Sequence, residues 1–198
     1  MRYTKLAPNA FAQIQMNAGL LASDFNPATG ALNDNKILGV TSGGINFTAT
    51  PEFVDFGEDI DNCPKNTMEL KRIQDVEVKI SGTFAALDTT LAKLLMSAAD
   101  VDPTDATKIV PRKELDVAND FLDMWLIGDY SDKTGTTNGG YLAIKMLNAL
   151  STGGFQIQTT DREKGKFAFE FTGHYSYDNP DVVPYEVYIK AGTAEPTT

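Results

Sequence analysis

The chain has one cysteine and one histidine in 198 residues. Cys63 alone closes no internal disulfide. That leaves the compartment open, with a lean toward cytoplasmic folding. A single Cys63 and a single His174 also exclude the usual zinc constellations. Cations are scarce: Lys and Arg number 17 against 27 Asp and Glu, for a net charge of -10. Gripping nucleic acid takes cations that release phosphate counterions, so the composition argues against that class of partner. No apolar run approaches the roughly 18 residues that a membrane span requires. Arg2 and Lys5 precede a partly apolar stretch, but Asn9, Gln13, Gln15 and Asn17 interrupt it and leave no signal-peptide core. There is no internal repeat and no coiled-coil heptad run.

What is present is apolar and aromatic. Hydrophobic residues make up 42% of the chain and aromatics 10%, enough for a packed core and against wholesale disorder. The length suits one domain, at most two small ones. The acidic excess suits a surface that repels a polyanion. Plain solvation explains it as well and is the default.

The richest stretch is Lys166 to Ile189. Phe167, Phe169 and Phe171 alternate with Ala168, Glu170 and Thr172, which puts the rings on one face of a strand. Asp178-Asn179-Pro180-Asp181 breaks it with turn chemistry. Tyr185, Val187 and Ile189 begin a second alternation, so two neighbouring strands with one aromatic face are expected.

Upstream, Met1 to Leu38 is an arm of mixed polarity with a short strand expected over Phe11 to Met16. Turns are expected at Asn26 to Gly30 and Asn33 to Asn35. A strand is expected from Ile37, bent or bulged at Gly43-Gly44 and continued by Ile45, Phe47 and Ala49. Thr50 to Arg72 predicts a long loop or extended hairpin. Its first limb carries Glu52, Asp55, Glu58, Asp59 and Asp61, and its second Lys65, Lys71 and Arg72. Phe53, Val54 and Phe56 lie among the acids and need a cover, from the same domain or another subunit.

Val76, Val78, Ile80 and Phe84 alternate with polar residues, the cleanest strand pattern in the chain. Asp88 is a plausible N-cap for one amphipathic helix through Leu91, Leu94, Leu95 and Ala98, stopped by Asp102-Pro103. A short strand is expected around Ile109-Val110. Phe121 to Ile127 is apolar on both faces, the mark of a fully buried strand. Ser131 to Gly140 predicts a polar loop, and Tyr141 to Leu150 fits strand or helix. Phe155, Ile157 and Thr159 alternate as a further strand, and Asp161 to Gly165 is a charged turn. The tail, 192–198, reads as frayed. Strand signals far outnumber helix signals, so the sum is mainly β: a sandwich or barrel with one flanking α-helix.

No motif carries chemistry. His174 has no nucleophile-elbow partner and reads as an ordinary strand position. Asp59 and Asp61 begin a calcium-loop pattern, but Cys63 and Pro64 stand where an oxygen ligand and glycine belong. Gly165-Lys166 precedes Phe167, not the Ser or Thr of a phosphate loop. The Gly residues of Ser131 to Gly140 lack the dinucleotide spacing. No pair of carboxylates is singled out. Asn46-Phe47-Thr48 matches a glycosylation sequon of the kind chance supplies.

Three stretches in order carry a resemblance: Thr41 to Phe47 (TSGGINF), Val76 to Thr83 (VEVKISGT) leading to the helix, and Gly165 to Tyr175 (GKFAFEFTGHY). Their layout over roughly Leu38 to Ile189 resembles the tail tube proteins of long-tailed bacteriophages, in the group with one helix on a β-sandwich. The resemblance implies a structural virion protein in which hexameric rings stack into a tube. Strands of every subunit would line a lumen for DNA passage during ejection, without specific DNA binding. It implies no enzyme activity, cofactor or membrane. Partners would be further copies, a tape measure protein, and tail terminator and distal tail proteins. The protein would be made in the bacterial host cytoplasm. The long loop would reach a neighbour, making Phe53, Val54, Phe56, Asp59, Lys71 and Arg72 candidate interface residues. Glu77, Lys79, Ser81, Glu170, Thr172 and His174 become candidates for the tube wall. An inner-tube ring protein of a contractile injection or type VI secretion device is the nearest alternative. A carbohydrate-binding β-sandwich using Tyr175, Tyr177, Tyr185 and Tyr188 is the alternative from another class.

Overall fold

The computed structural model describes residues 5–131 and 139–193. The element order is β1 (Gln15–Ala22), β2 (Phe25–Asn26), β3 (Ala31–Leu32), β4 (Thr41–Asp55), β5 (Lys71–Phe84), α1 (Thr89–Leu95) and β6 (Ala99–Asp102). There follow β7 (Asp105–Pro111), β8 (Leu122–Tyr130), β9 (Gly140–Ser151), β10 (Phe167–Gly173) and β11 (Tyr185–Lys190). The main sheet runs β1-β8-β9-β10-β5-β4, antiparallel throughout, with β11 also on β9. β2-β3 and β6-β7 are separate hairpins. The protein is therefore mainly β, a sandwich-like roll with one α-helix. Among the described residues there is no closed barrel. Where the roll leaves β4 and β1 unpaired, a cavity of about 270 Å³ is lined by Gln15, Ile45, Phe47, Leu126, Leu142 and Ile144.

The core follows from alternation. Val78, Ile80 and Phe84 of β5 and Phe169 and Phe171 of β10 turn inward, meeting Met124, Ile144 and Met146 from β8 and β9. The Phe84 and Phe169 rings lie 4.3 Å apart. Helix α1 closes one end with Leu91 and Leu95. Asp88 caps it as expected, its Oδ1 accepting from the Leu91 N–H at 2.7 Å. The helix ends earlier than the spacing predicts. Ser97 takes a positive φ of 65°, and Asp102 lies in β6 rather than ending a helix.

β8 is buried on both faces, as its sequence predicts, because a second cluster covers the far side. Phe25 of the β2-β3 hairpin stands edge-on to Trp125 at 5.4 Å and to Tyr141 at 5.2 Å, with Tyr188 beside Trp125. Tyr141 to Leu150, open between helix and strand on sequence alone, is strand β9.

Four expectations are corrected. Ala10–Gln13 forms a 3-10 turn and the first strand begins only at Gln15. Ile37 makes a single bridge to Ala22, and the strand after it starts at Thr41. The bulge at Gly43-Gly44 is present, both glycines having positive φ where the register shifts. Phe155 to Thr159 joins no ladder, since only Gln158 bridges to Lys166. Alternation alone does not make a strand: β9 pairs with β10 only from Phe171 to Gly173, and Phe155 to Thr159 does not extend that ladder toward Phe167.

The fourth correction concerns Lys166 to Ile189. β10 and β11 do not pair with each other. They follow one another along the same edge of β9, which pairs with β11 over Tyr141–Met146 and with β10 over Ala149–Ser151. The fork lies at Asn148, in left-handed conformation with φ 48°. Tyr185 still reaches the core beside Phe47, but Val187 and Ile189 are exposed. The loop expected over Ser131 to Gly140 and the frayed tail fall mostly outside the described residues. Among the described residues no helix is long and apolar enough to cross a membrane.

Candidate assembly surface

The stretch Thr50 to Arg72 is an overhang. β10 pairs with β5 only from Val78 to Phe84, whereas β4 and β5 pair with each other out to Asp55 and Lys71. The ladder beyond Val78 is thus a two-stranded ribbon about 20 Å long at a strand rise of ~3.3 Å per residue. Tyr175 braces its root, its hydroxyl accepting from the Val76 N–H at 2.9 Å.

Cross-strand pairs share a face. Phe47 with Ile80 and Ala49 with Val78 face the core. The same face continues outward as Pro51 with Val76 and then Phe53 with Ile73. On this outer part it stands half open among the described residues: Phe53 is 52% exposed and Ile73 58%. The core stripe therefore runs past the end of the core. The opposite face of the ribbon is mostly polar, with Thr50 beside Glu77 and Glu52 beside Asp75, and only Val54, beside Arg72, apolar on β4. Lys71 lies 5.1 Å from the Phe53 ring centre, a cation–π contact.

The tip is ordered around Asp55. Its carboxylate accepts from the Gly57 N–H at 2.9 Å and the Asn66 N–H at 2.8 Å. These two backbone hydrogen bonds, Gly57's first, hold its carboxyl below the usual carboxylate range. Leu70 packs toward Gly57, and Cys63 is half-buried with Sγ 3.4 Å from Thr67 Oγ1. Around this frame the apolar residues point out: Phe56 is 63% exposed, Met68 80%, and Ile60 is exposed too. Phe53, Phe56, Lys71 and Arg72 are thus all on the surface of ribbon or tip, as is Asp59, while Val54 is half-buried. Ile60, Met68 and Ile73 belong to the same surface and were not singled out from sequence. Ile73 has polar residues on both sides and alternates with nothing apolar, so only its ladder pairing with Phe53 reveals its company.

The second group of expected residues divides. Glu170 pairs with Ser81 and Thr172 with Lys79. Glu77 joins Lys79 at 2.6 Å, and this hydrogen bond raises the lysine's pKa. These five share the outward, polar face of β5 and β10, which Asn46 and Thr48 of β4 extend. Thr152 adds a hydroxyl 2.7 Å from that of Thr172. His174 lies past the end of β10 instead. Its Nδ1 is 3.1 Å from the Asn148 carbonyl oxygen, its own carbonyl accepts from Asn148 Nδ2 at 3.0 Å, and Phe121 stands edge-on to its ring. It clasps the fork of the sheet.

The four tyrosines of the sugar-binding alternative make no common platform. Tyr185 packs with the main core, Tyr188 with the Trp125 cluster, and Tyr175 holds Val76. Only Tyr177 is fully open. Among the described residues no group of three or more His, Cys, Asp or Glu is placed to hold a metal ion.

No protein-family model matches the sequence, and no curated protein is similar to it. Among solved structures, a chain of one titled "Virion of native gene transfer agent (GTA) particle" is similar over 88% of this chain and 96% of its own. Identity is 7% and the TM-score 0.42. A likeness this distant carries no argument.

Proposed function

We propose that the chain is a structural virion protein, the subunit of a tail tube built from stacked hexameric rings. The observation that carries this reading is the β4-β5 ribbon, which takes the core's apolar stripe beyond the core and leaves it uncovered. A monomer gains nothing from such an overhang, and its apolar surface costs solubility. A neighbouring copy that covers it turns the cost into association energy. β4 and β11 each have one ladder partner and one open edge, which suits further strand pairing between copies.

The polar face of β4, β5 and β10 supplies the wall. Its Thr, Ser and Asn hydroxyl and amide groups, with Glu77 and Glu170 beside Lys79, give a surface of slight negative charge. DNA would slide past such a wall without being held. Catalysis, cofactor and metal have no part in this role. Tape measure, terminator and distal tail proteins would meet the ring stack at its ends and axis.

Negative-stain microscopy of the purified chain at high concentration, over a range of salt, tests the proposal. Rings or tubes are expected. Monomers that persist under every condition would overturn it.

A further inference from the structure

A second uncovered apolar element lies at the other end of the chain. Lys5 to Ile14 precedes β1 and is held at its end by the Ser131 N–H, which donates to the Ile14 carbonyl at 2.8 Å, yet three of its apolar side chains stand open: Leu6 is 72% exposed, Phe11 62% and Ile14 41%. Its charge also differs from the rest of the molecule. Lys5 is its one charged residue, and no carboxylate precedes Asp24. The ribbon and tip have the opposite balance on their first limb, where Glu52, Asp55, Glu58, Asp59 and Asp61 precede the first cation, Lys65. The two surfaces are complementary in both respects: apolar residues spaced along each, and opposite charge around them.

We infer that the segment Lys5 to Ile14 of one copy docks on the β4-β5 ribbon of another copy. Its apolar residues would cover the Phe53–Ile73 stripe and Phe56, with Lys5 beside the acidic limb. The inference rests on the assembly reading above. A copy's own ribbon is a poor target. Gln15, where the segment joins the sheet, lines the cavity beside Ile45 and Phe47. The tip begins eight residues further along β4, roughly 26 Å away at strand rise. The nine steps of chain from Gln15 to Leu6 span at most roughly 30 Å, so Leu6 would reach the tip only with most of them extended. The 3-10 turn at Ala10–Gln13 and the positive φ of Asn9 would be lost. A neighbour's ribbon imposes no such stretch. The contact is head-to-tail, with different patches on the two partners, so it repeats from copy to copy. One segment is smaller than the roughly 800 Å² per partner of a stable interface, so it strengthens an array rather than making a dimer.

Cross-linking decides it. In a Cys63→Ser background, one protein carries Gln13→Cys and a second carries Met68→Cys, both at exposed positions. The two are mixed at assembling concentration, treated with a short bismaleimide and digested. The expected result is a peptide joining residue 13 of one protein to residue 68 of the other. Its yield should fall at least tenfold when Phe11→Ser or Lys5→Glu is added to the first. Absence of that peptide overturns the inference, whether or not rings are seen. So does a chain carrying both cysteines that joins them within itself when dilute. Microscopy of the same samples judges the assembly reading separately: rings without the peptide leave that reading standing and remove only the docking of the arm.

Discussion

Replacing Phe53 and Phe56 together with Ser separates assembly from folding. Phe53 is 52% exposed and Phe56 63%, so more than half of each ring awaits a partner. With a phenylalanine burying roughly 200 Å², the two leave on the order of 230 Å² open. Covering that area at about 25 cal/mol per Å² would contribute about 6 kcal/mol per contact between copies. A tenfold change in affinity corresponds to about 1.4 kcal/mol, so the double variant should raise the assembly concentration by about four orders of magnitude. Folding should hardly notice. The variant loses a surface cation–π contact with Lys71 and little packing, about 1 kcal/mol. In a chain of this length that lowers Tm by about 2–4 °C. Light scattering against concentration measures the first effect, and a circular dichroism melt the second. Two results would refute the reasoning. An unchanged assembly concentration would mean that the stripe is not an interface. A loss of Tm beyond about 10 °C would mean that the ribbon packs on its own domain.

Three further outcomes are expected. The Asp120 side chain is 1% exposed and holds Arg112 Nη2 at 2.6 Å and the Asp116 N–H at 2.7 Å, whereas Asp100, Arg112's other partner, is half exposed. Asp120→Ala should therefore lower Tm by several degrees and Asp100→Ala by much less, as read by thermal melts. The Asp102 carboxyl is lowered from 3.8 to about 2, chiefly by its hydrogen bond from Lys108 and then by Thr104. A depressed carboxylate stabilises the fold above its ordinary value, and that contribution is lost as pH falls through about 2. NMR titration should find Asp102 ionised at pH 3, and Lys108→Met should move its midpoint back toward 3.8. At the fork, a Cβ on Gly173 would stand 2.9 Å from Met146 Cγ and 3.2 Å from the Pro184 carbonyl oxygen. Gly173→Ala should cost about 1–3 kcal/mol in denaturant unfolding through overpacking.

Much of the fold was legible in the sequence because single strands announce themselves by alternation. β5, β8 and β10 stand where Val76–Phe84, Phe121–Ile127 and Phe167–Phe171 place them, and Asp88 caps the helix. Pairing was not legible. The stretch from Lys166 to Ile189 looks like two neighbouring strands because its two alternations are separated by a turn. Yet Gly173 and Asn148 make the chain leave one end of β9 and rejoin it nearer the other. That depends on close approach at a glycine and on one left-handed asparagine, neither of which has a periodic signal. His174 shows the same limit. Its parity puts it on the face of Glu170 and Thr172, but the strand ends one residue before it, and Asn148 takes its ring nitrogen.

The candidate surface was legible for a different reason, and only in part. Phe53 and Phe56 among five acids mark exposed apolar residues, since a core strand does not carry that many charges. What the letters cannot show is that Ile73 belongs to the same stripe as Val76 and Val78, because the extra residue Gln74 bulges β5 and shifts its parity. The ladder restores it. Phe47 is inside and Phe53 outside for one reason: β10 stops pairing at Val78 and no other strand takes its place. The side chains on either side of that point are alike; only the cover differs. An apolar stripe that outlasts its own core, on a strand whose second edge is open, is a surface already shaped for another copy of the same chain. Variants beyond Val78 should therefore act on assembly and variants before it on folding, with Val76 and its bond to Tyr175 at the boundary.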